Sequence, residues 1–89
     1  MAMQFDEFVH EIDRAVRVLG PVEAFDATAP TVVAWTAGSR SAAVALVPPL
    51  NVSVALARPG QPDVTTWYPV DAALVPVVSR RIAAFLSEA

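Results

Sequence analysis

The first fifth of the chain repeats with a helical period. Phe5, Phe8, Val9, Ile12, Val16 and Leu19 fall at steps of three and four. Asp6, Glu7, His10, Glu11, Asp13, Arg14 and Arg17 fill the opposite side. The spacing predicts an amphipathic helix over 3–19. Acids crowd its first turns and arginines its later ones, as the helix dipole favours. Gly20-Pro21 should end it, with Gly20 as a left-handed cap and Pro21 unable to continue.

From Val22 to Tyr68 the period changes to two. Val22 to Phe25 reads as a short strand and 26–30 as a loop. Strands are expected over 31–37, 41–47, 50–57 and 63–68, where apolar residues alternate with small polar ones. Gly38-Ser39 suits a tight type II′ hairpin turn. Pro48-Pro49 has no backbone donor and interrupts the ladder. Arg58-Pro59-Gly60-Gln61 fits a type II turn, with proline second and glycine third. The last segment is helical again. Asp71 is its N-cap, and Leu74, Val78, Ile82, Phe85 and Leu86 form its apolar stripe. Pro76 lies just past the first turn, so either a short turn over 71–75 precedes the main helix or the helix kinks there.

A helix, an antiparallel meander of four to five strands and a second helix in one 89-residue chain give a single α+β domain. The two helical stripes need an apolar partner, and the sheet offers the only large one. The expected architecture is therefore a two-layer sandwich with both helices on one face of the sheet.

Alternation divides that sheet into two unlike faces. Val33, Trp35, Val44, Leu46, Val52, Val54 and Leu56 share one side, which should meet the helices. The other side holds Ala34, Thr36, Ala43, Ala45, Ser53 and Ala55. No charged residue occurs between Ser41 and Ala57, whereas a solvated antiparallel face normally carries long charged side chains. Trp67 and Tyr68 are adjacent on the last strand, so one ring should turn inward and the other outward. Aromatic rings of this kind concentrate at interface hot spots.

Composition sharpens the point. Hydrophobic residues make up 55% and charged residues only 17%, against about 45–50% and about 25% in ordinary soluble domains. Mean hydropathy is +0.49. A 9.4 kDa chain should keep roughly 5,000 Å² of surface exposed after folding, from roughly 13,600 Å² unfolded. Either the apolar excess is mostly alanine, which is nearly neutral, or a partner covers part of it. All six basic residues are arginine, and alanine and valine supply 32 positions. Such usage is expected of a GC-rich bacterial genome.

Several chemistries lack their residues. There is no cysteine, so disulfide scaffolds, zinc–thiolate sites and cysteine nucleophiles are out. Three glycines build no phosphate-cradling loop. No Gly-x-Ser-x-Gly elbow surrounds a serine. His10, the sole histidine, shares a helix side with Asp6, but a metal site needs three or four ligands. Catalytic residues, metals and cofactors are therefore not expected. The order of elements resembles that of double-stranded-RNA-binding domains. Those domains carry a lysine-rich motif where this chain has Asp71-Ala72-Ala73-Leu74. With no lysine and a net charge of −3, no nucleic-acid partner is expected. The layout also resembles small dimeric secretion-chaperone-like folds, in which sheet or helices hold a client segment.

The N-terminus has neither a basic nor an apolar segment of the secretory kind. The longest uncharged stretch, 41–57, is broken by two prolines, so no membrane span and a cytoplasmic location are expected. The sequence points to a non-enzymatic protein–protein interaction domain, an adaptor, chaperone-like or regulatory protein, acting as a homodimer and open to a protein client. Its expected interface comprises Ala34, Thr36, Ala43, Ala45, Ser53, Ala55, Trp67 and Tyr68. The alternative is an apolar-ligand module with a pocket between sheet and first helix, lined by Phe8, Ile12 and Trp35.

Overall fold

The computed structural model describes residues 3–88. Helix α1 spans Phe5–Leu19, and five strands follow: β1 (Ala24–Ala29), β2 (Val32–Ala37), β3 (Arg40–Val47), β4 (Asn51–Ala57) and β5 (Val64–Pro69). A 3₁₀ turn at Ala72–Leu74 leads into helix α2, Val75–Leu86. The strands form one antiparallel sheet in simple sequence order. The helices pack on each other and on one sheet face, giving the α+β sandwich that periodicity predicts.

The turns behave as their residues dictate. Gly38 and Gly60 take φ of 61° and 71°, and no other described residue has positive φ. The Gln61 amide closes the second turn on the Arg58 carbonyl at 3.3 Å. Asp71 caps the final helical segment by accepting from the Ala73 amide at 2.9 Å. The 3₁₀ turn over 72–74 then places Pro76 in the first turn of α2, where its missing donor costs little.

Two local expectations need correction. The expected strand at 22–25 and loop at 26–30 are instead one strand: β1 starts at Ala24, runs to Ala29 and pairs with β2 through a bulge between Ala27 and Ala29. Gly20 is not left-handed either, since its φ is −152°. Glycine is needed there for space. A Cβ would lie 3.1 Å from the Ala83 carbonyl oxygen and 3.2 Å from the Ala83 Cβ, where α2 crosses the end of α1.

The core is continuous. Phe8, Ile12 and Val16 of α1 meet Trp35, Val44, Val52 and Val54 of the sheet, and Val78 and Ile82 of α2, all fully buried. The indole Nε1 of Trp35 donates to Asp13 Oδ1 at 2.9 Å, and Arg17 Nε donates to the same oxygen at 2.8 Å. Burying this indole is tolerable because its one donor is satisfied. Phe25 packs beside Trp35 with ring centroids 5.3 Å apart, and the Arg17 guanidinium lies over Phe25. These contacts tie α1 to β1 and β2. At the opposite side, Arg58 donates to both carboxylate oxygens of Glu88 and lies 4.7 Å over the Phe85 ring. Arg40 approaches the same carboxylate at 3.9 Å, so Glu88, just past the end of α2, is shared by two arginines.

Ser79 is the exception to core chemistry. It is fully buried on α2, and its Oγ has no hydrogen-bond partner among the described residues. An unsatisfied buried hydroxyl costs about 1–3 kcal/mol. Ser79→Ala should therefore stabilise the fold by about 1 kcal/mol, read as a higher urea midpoint at unchanged slope. A lower midpoint would mean that the hydroxyl is in fact bonded.

Exposed surface totals 5147 Å², close to the roughly 5,000 Å² expected for this mass. The apolar excess is thus not absorbed by unusual compaction. Large hydrophobic residues exposed on the surface include Val18, Leu50, Val64, Trp67 and Val77.

Candidate functional site

Both helices lie on one side of the sheet, so the other side has no second layer among the described residues. Strand register fixes its membership. One row runs Asp26, Ala34, Ala43, Ala55, Thr65 across all five strands. A second runs Val32, Ala45, Ser53, Trp67. A third runs Ala24, Thr36, Ser41, Ala57. Asp26, on the edge strand β1, is the only charge in these rows. Ala34, Thr36, Ala43, Ala45, Ser53 and Ala55 are half-buried although no element covers them. Their short side chains sink between neighbours and leave a low, nearly flat surface.

Trp67 rises from the margin of that surface. Its side is set by β5 register, opposite Ser53, and it is 65% exposed. Tyr68 faces the other way, opposite Val52, and packs partly buried against the core. Adjacent strand positions thus present one ring and bury the other. Of the eight residues expected at an interface, seven share the open face and Tyr68 lies behind it.

Phe8, Ile12 and Trp35 come together as expected, but as filled core: each is fully buried. A concavity lies between α1 and the β1–β2 side of the sheet. It has about 260 Å³ and is lined by Phe5, Val9, His10, Phe25 and Val33 among others. His10 is exposed on its rim. No group of three or more His, Asp or Glu side chains among the described residues is placed to hold a metal ion. Arg80 and Arg81 are exposed on α2, with no ion-pair partner among the described residues. No described helix is long and apolar enough to cross a membrane.

One surface feature escapes the periodicity argument. A groove of about 480 Å³ opens between the helices, lined by Ala15, Val18, Leu19, Val75 and Pro76, with Glu11 and Arg14 at its rim. Val18 is 85% exposed there. The only signal in the sequence is that Val18 is apolar yet lies off the helical stripe.

The open face is thus nearly uncharged, made of short side chains, and aromatic at one edge. No protein-family model, no curated protein sequence and no solved structure matches the chain.

Proposed function

We propose that this chain is a non-enzymatic protein–protein interaction domain that works as a homodimer, joined at the Trp67 margin of its open sheet face, with the rest of that face presented to a protein client. The observation that supports this most is the pairing of an uncovered, nearly uncharged face with a large exposed ring at its margin. Water solvates such a face poorly, and contiguous apolar patches on small domains mark association sites. A flat surface of alanine, serine and threonine lets another backbone approach closely. An indole at its edge supplies the large buried area that interface anchors need. A second copy is the partner with the simplest route to such a surface, since two-fold association uses one patch twice. The remainder of the face stays available to a protein client, in the manner of an adaptor or chaperone-like subunit.

Trp67 makes the reading measurable. Trp35 is sealed in the core and its emission should be insensitive to association. Trp67 should move into water as dimers dissociate. Diluting the protein from high micromolar to nanomolar concentration should shift tryptophan emission to the red along a dimer–monomer curve. In Trp67→Phe, which retains Trp35, the shift should vanish. Emission already typical of a solvated indole at every concentration would contradict the proposal.

A further inference from the structure

We propose that β5 is the seam of the dimer: it pairs antiparallel with the β5 of a second copy about a two-fold axis at Thr66, so that two five-stranded sheets become one continuous sheet. This rests on the homodimer reading above and specifies its geometry.

The two edges of the sheet differ in kind. β1 carries the devices that keep an edge from pairing: a bulge between Ala27 and Ala29, a charge at Asp26, and Pro30 directly after its last residue. β5 carries none of these from Val64 to Tyr68. It runs Val-Thr-Thr-Trp-Tyr in unbroken register with β4, and these are the residue types that favour strands most. Its only proline, Pro69, ends it.

Backbone parity shows what the open edge presents. The Val70 amide donates to the Leu50 carbonyl at 2.8 Å. Hydrogen-bonded pairs alternate along an antiparallel ladder. Tyr68, Thr66 and Val64 therefore direct their N–H and C=O groups toward β4, while Thr65 and Trp67 direct theirs outward. The donor that Pro69 lacks would also have pointed outward, which is where a strand tolerates proline.

This edge is complementary to itself. With the axis at Thr66, Thr65 stands opposite the partner's Trp67 and can exchange both backbone bonds with it. The symmetric pair does the same. On the open face the Trp67 indole then lies beside the partner's Thr65. On the helix-facing side Val64, 47% exposed, meets the partner's Tyr68, an aromatic–β-branched pair of the kind that stabilises sheets. Asp63 falls opposite the partner's Pro69, so no like charges are opposed. The two open faces become coplanar neighbours and present one surface of twice the width.

Single cysteines test the seam cleanly, because the chain has none. Thr66 and its symmetry mate would form a non-hydrogen-bonded pair with Cα atoms about 4.5 Å apart, within the about 4.4–6.8 Å that a disulfide spans. Air oxidation with copper–phenanthroline should turn most of Thr66→Cys into a covalent dimer, and leave Ala45→Cys, in the middle of the open face, uncrosslinked. Thr65→Pro, which removes only an outward-facing donor, should be a folded monomer by circular dichroism and light scattering. Crosslinking of Ala45→Cys in place of Thr66→Cys, or a Thr65→Pro dimer, would overturn the seam and leave the homodimer standing with stacked faces. A monomeric wild type would overturn both.

Discussion

Trp35→Ala should cost about 3–5 kcal/mol and bring the protein to the limit of folding. A domain of this length has roughly 4–13 kcal/mol of stability at about 0.05–0.15 kcal/mol per residue. Trp35 has no exposed surface, so truncation removes its full buried area and leaves a cavity beneath α1. It also strips Asp13 of the indole donor and Phe25 of its neighbouring ring. The first contact links α1 to β2 and the second joins β1 to β2, so the loss extends beyond packing. Trp35→Phe separates the terms, since it keeps a ring and deletes the donor. It should cost less than half as much, because Asp13 retains Arg17. Urea unfolding followed by far-ultraviolet circular dichroism reads both variants. A loss below about 1 kcal/mol for Trp35→Ala would mean that the ring is not in the core.

Ile82→Ala should cost about 2–5 kcal/mol. Ile82 is fully buried midway along α2 and belongs to the core shared with α1 and the sheet. Val77 lies on the same helix but is 48% exposed, and Val77→Ala should change stability by no more than about 0.5 kcal/mol. The contrast tests the orientation of α2, which fixes which sheet face is covered. Equal effects at the two positions would mean that the helix is rotated or undocked. The open face would then lose its definition.

The elements with strong patterning were legible from their residues. The α1 stripe, the glycine turns and the parity of β2, β3 and β4 follow from periods of three to four and of two. The open face followed from the same parity, and so did the opposite orientations of Trp67 and Tyr68. The strand at 26–29 was not legible. Asp26-Ala27-Thr28-Ala29 has turn-forming residues and no alternation in bulk. As an edge strand, β1 bonds on one side only and tolerates both a charge and a bulge. Gly20 reads as a left-handed cap because a cap and a close helix crossing both call for glycine, and only the tertiary approach of Ala83 distinguishes them. The Arg58–Glu88 pair joins residues thirty positions apart, a spacing that no local pattern records. The buried hydroxyl of Ser79 was hidden for a related reason. Helical spacing puts position 79 beside Val78 and Ile82, and only the tertiary packing decides that a serine there is sealed.

The side chains of the open face are the link from fold to function. Helix stripes determine which side of the sheet is covered. The covered side leaves its reverse bare, and the bare side is mostly alanine and short hydroxyl side chains, with a single carboxylate. The proposed consequence is association, with Trp67 at the margin where it begins.

Light scattering behind size exclusion, over a hundredfold range of loading concentration, tests that consequence most directly. Wild type should elute at close to twice the 9.4 kDa of one chain at the upper concentrations. Trp67→Arg, which sets a charge on the exposed margin without touching the core, should elute as a folded single chain. A wild type at the mass of one chain throughout the range would contradict the account.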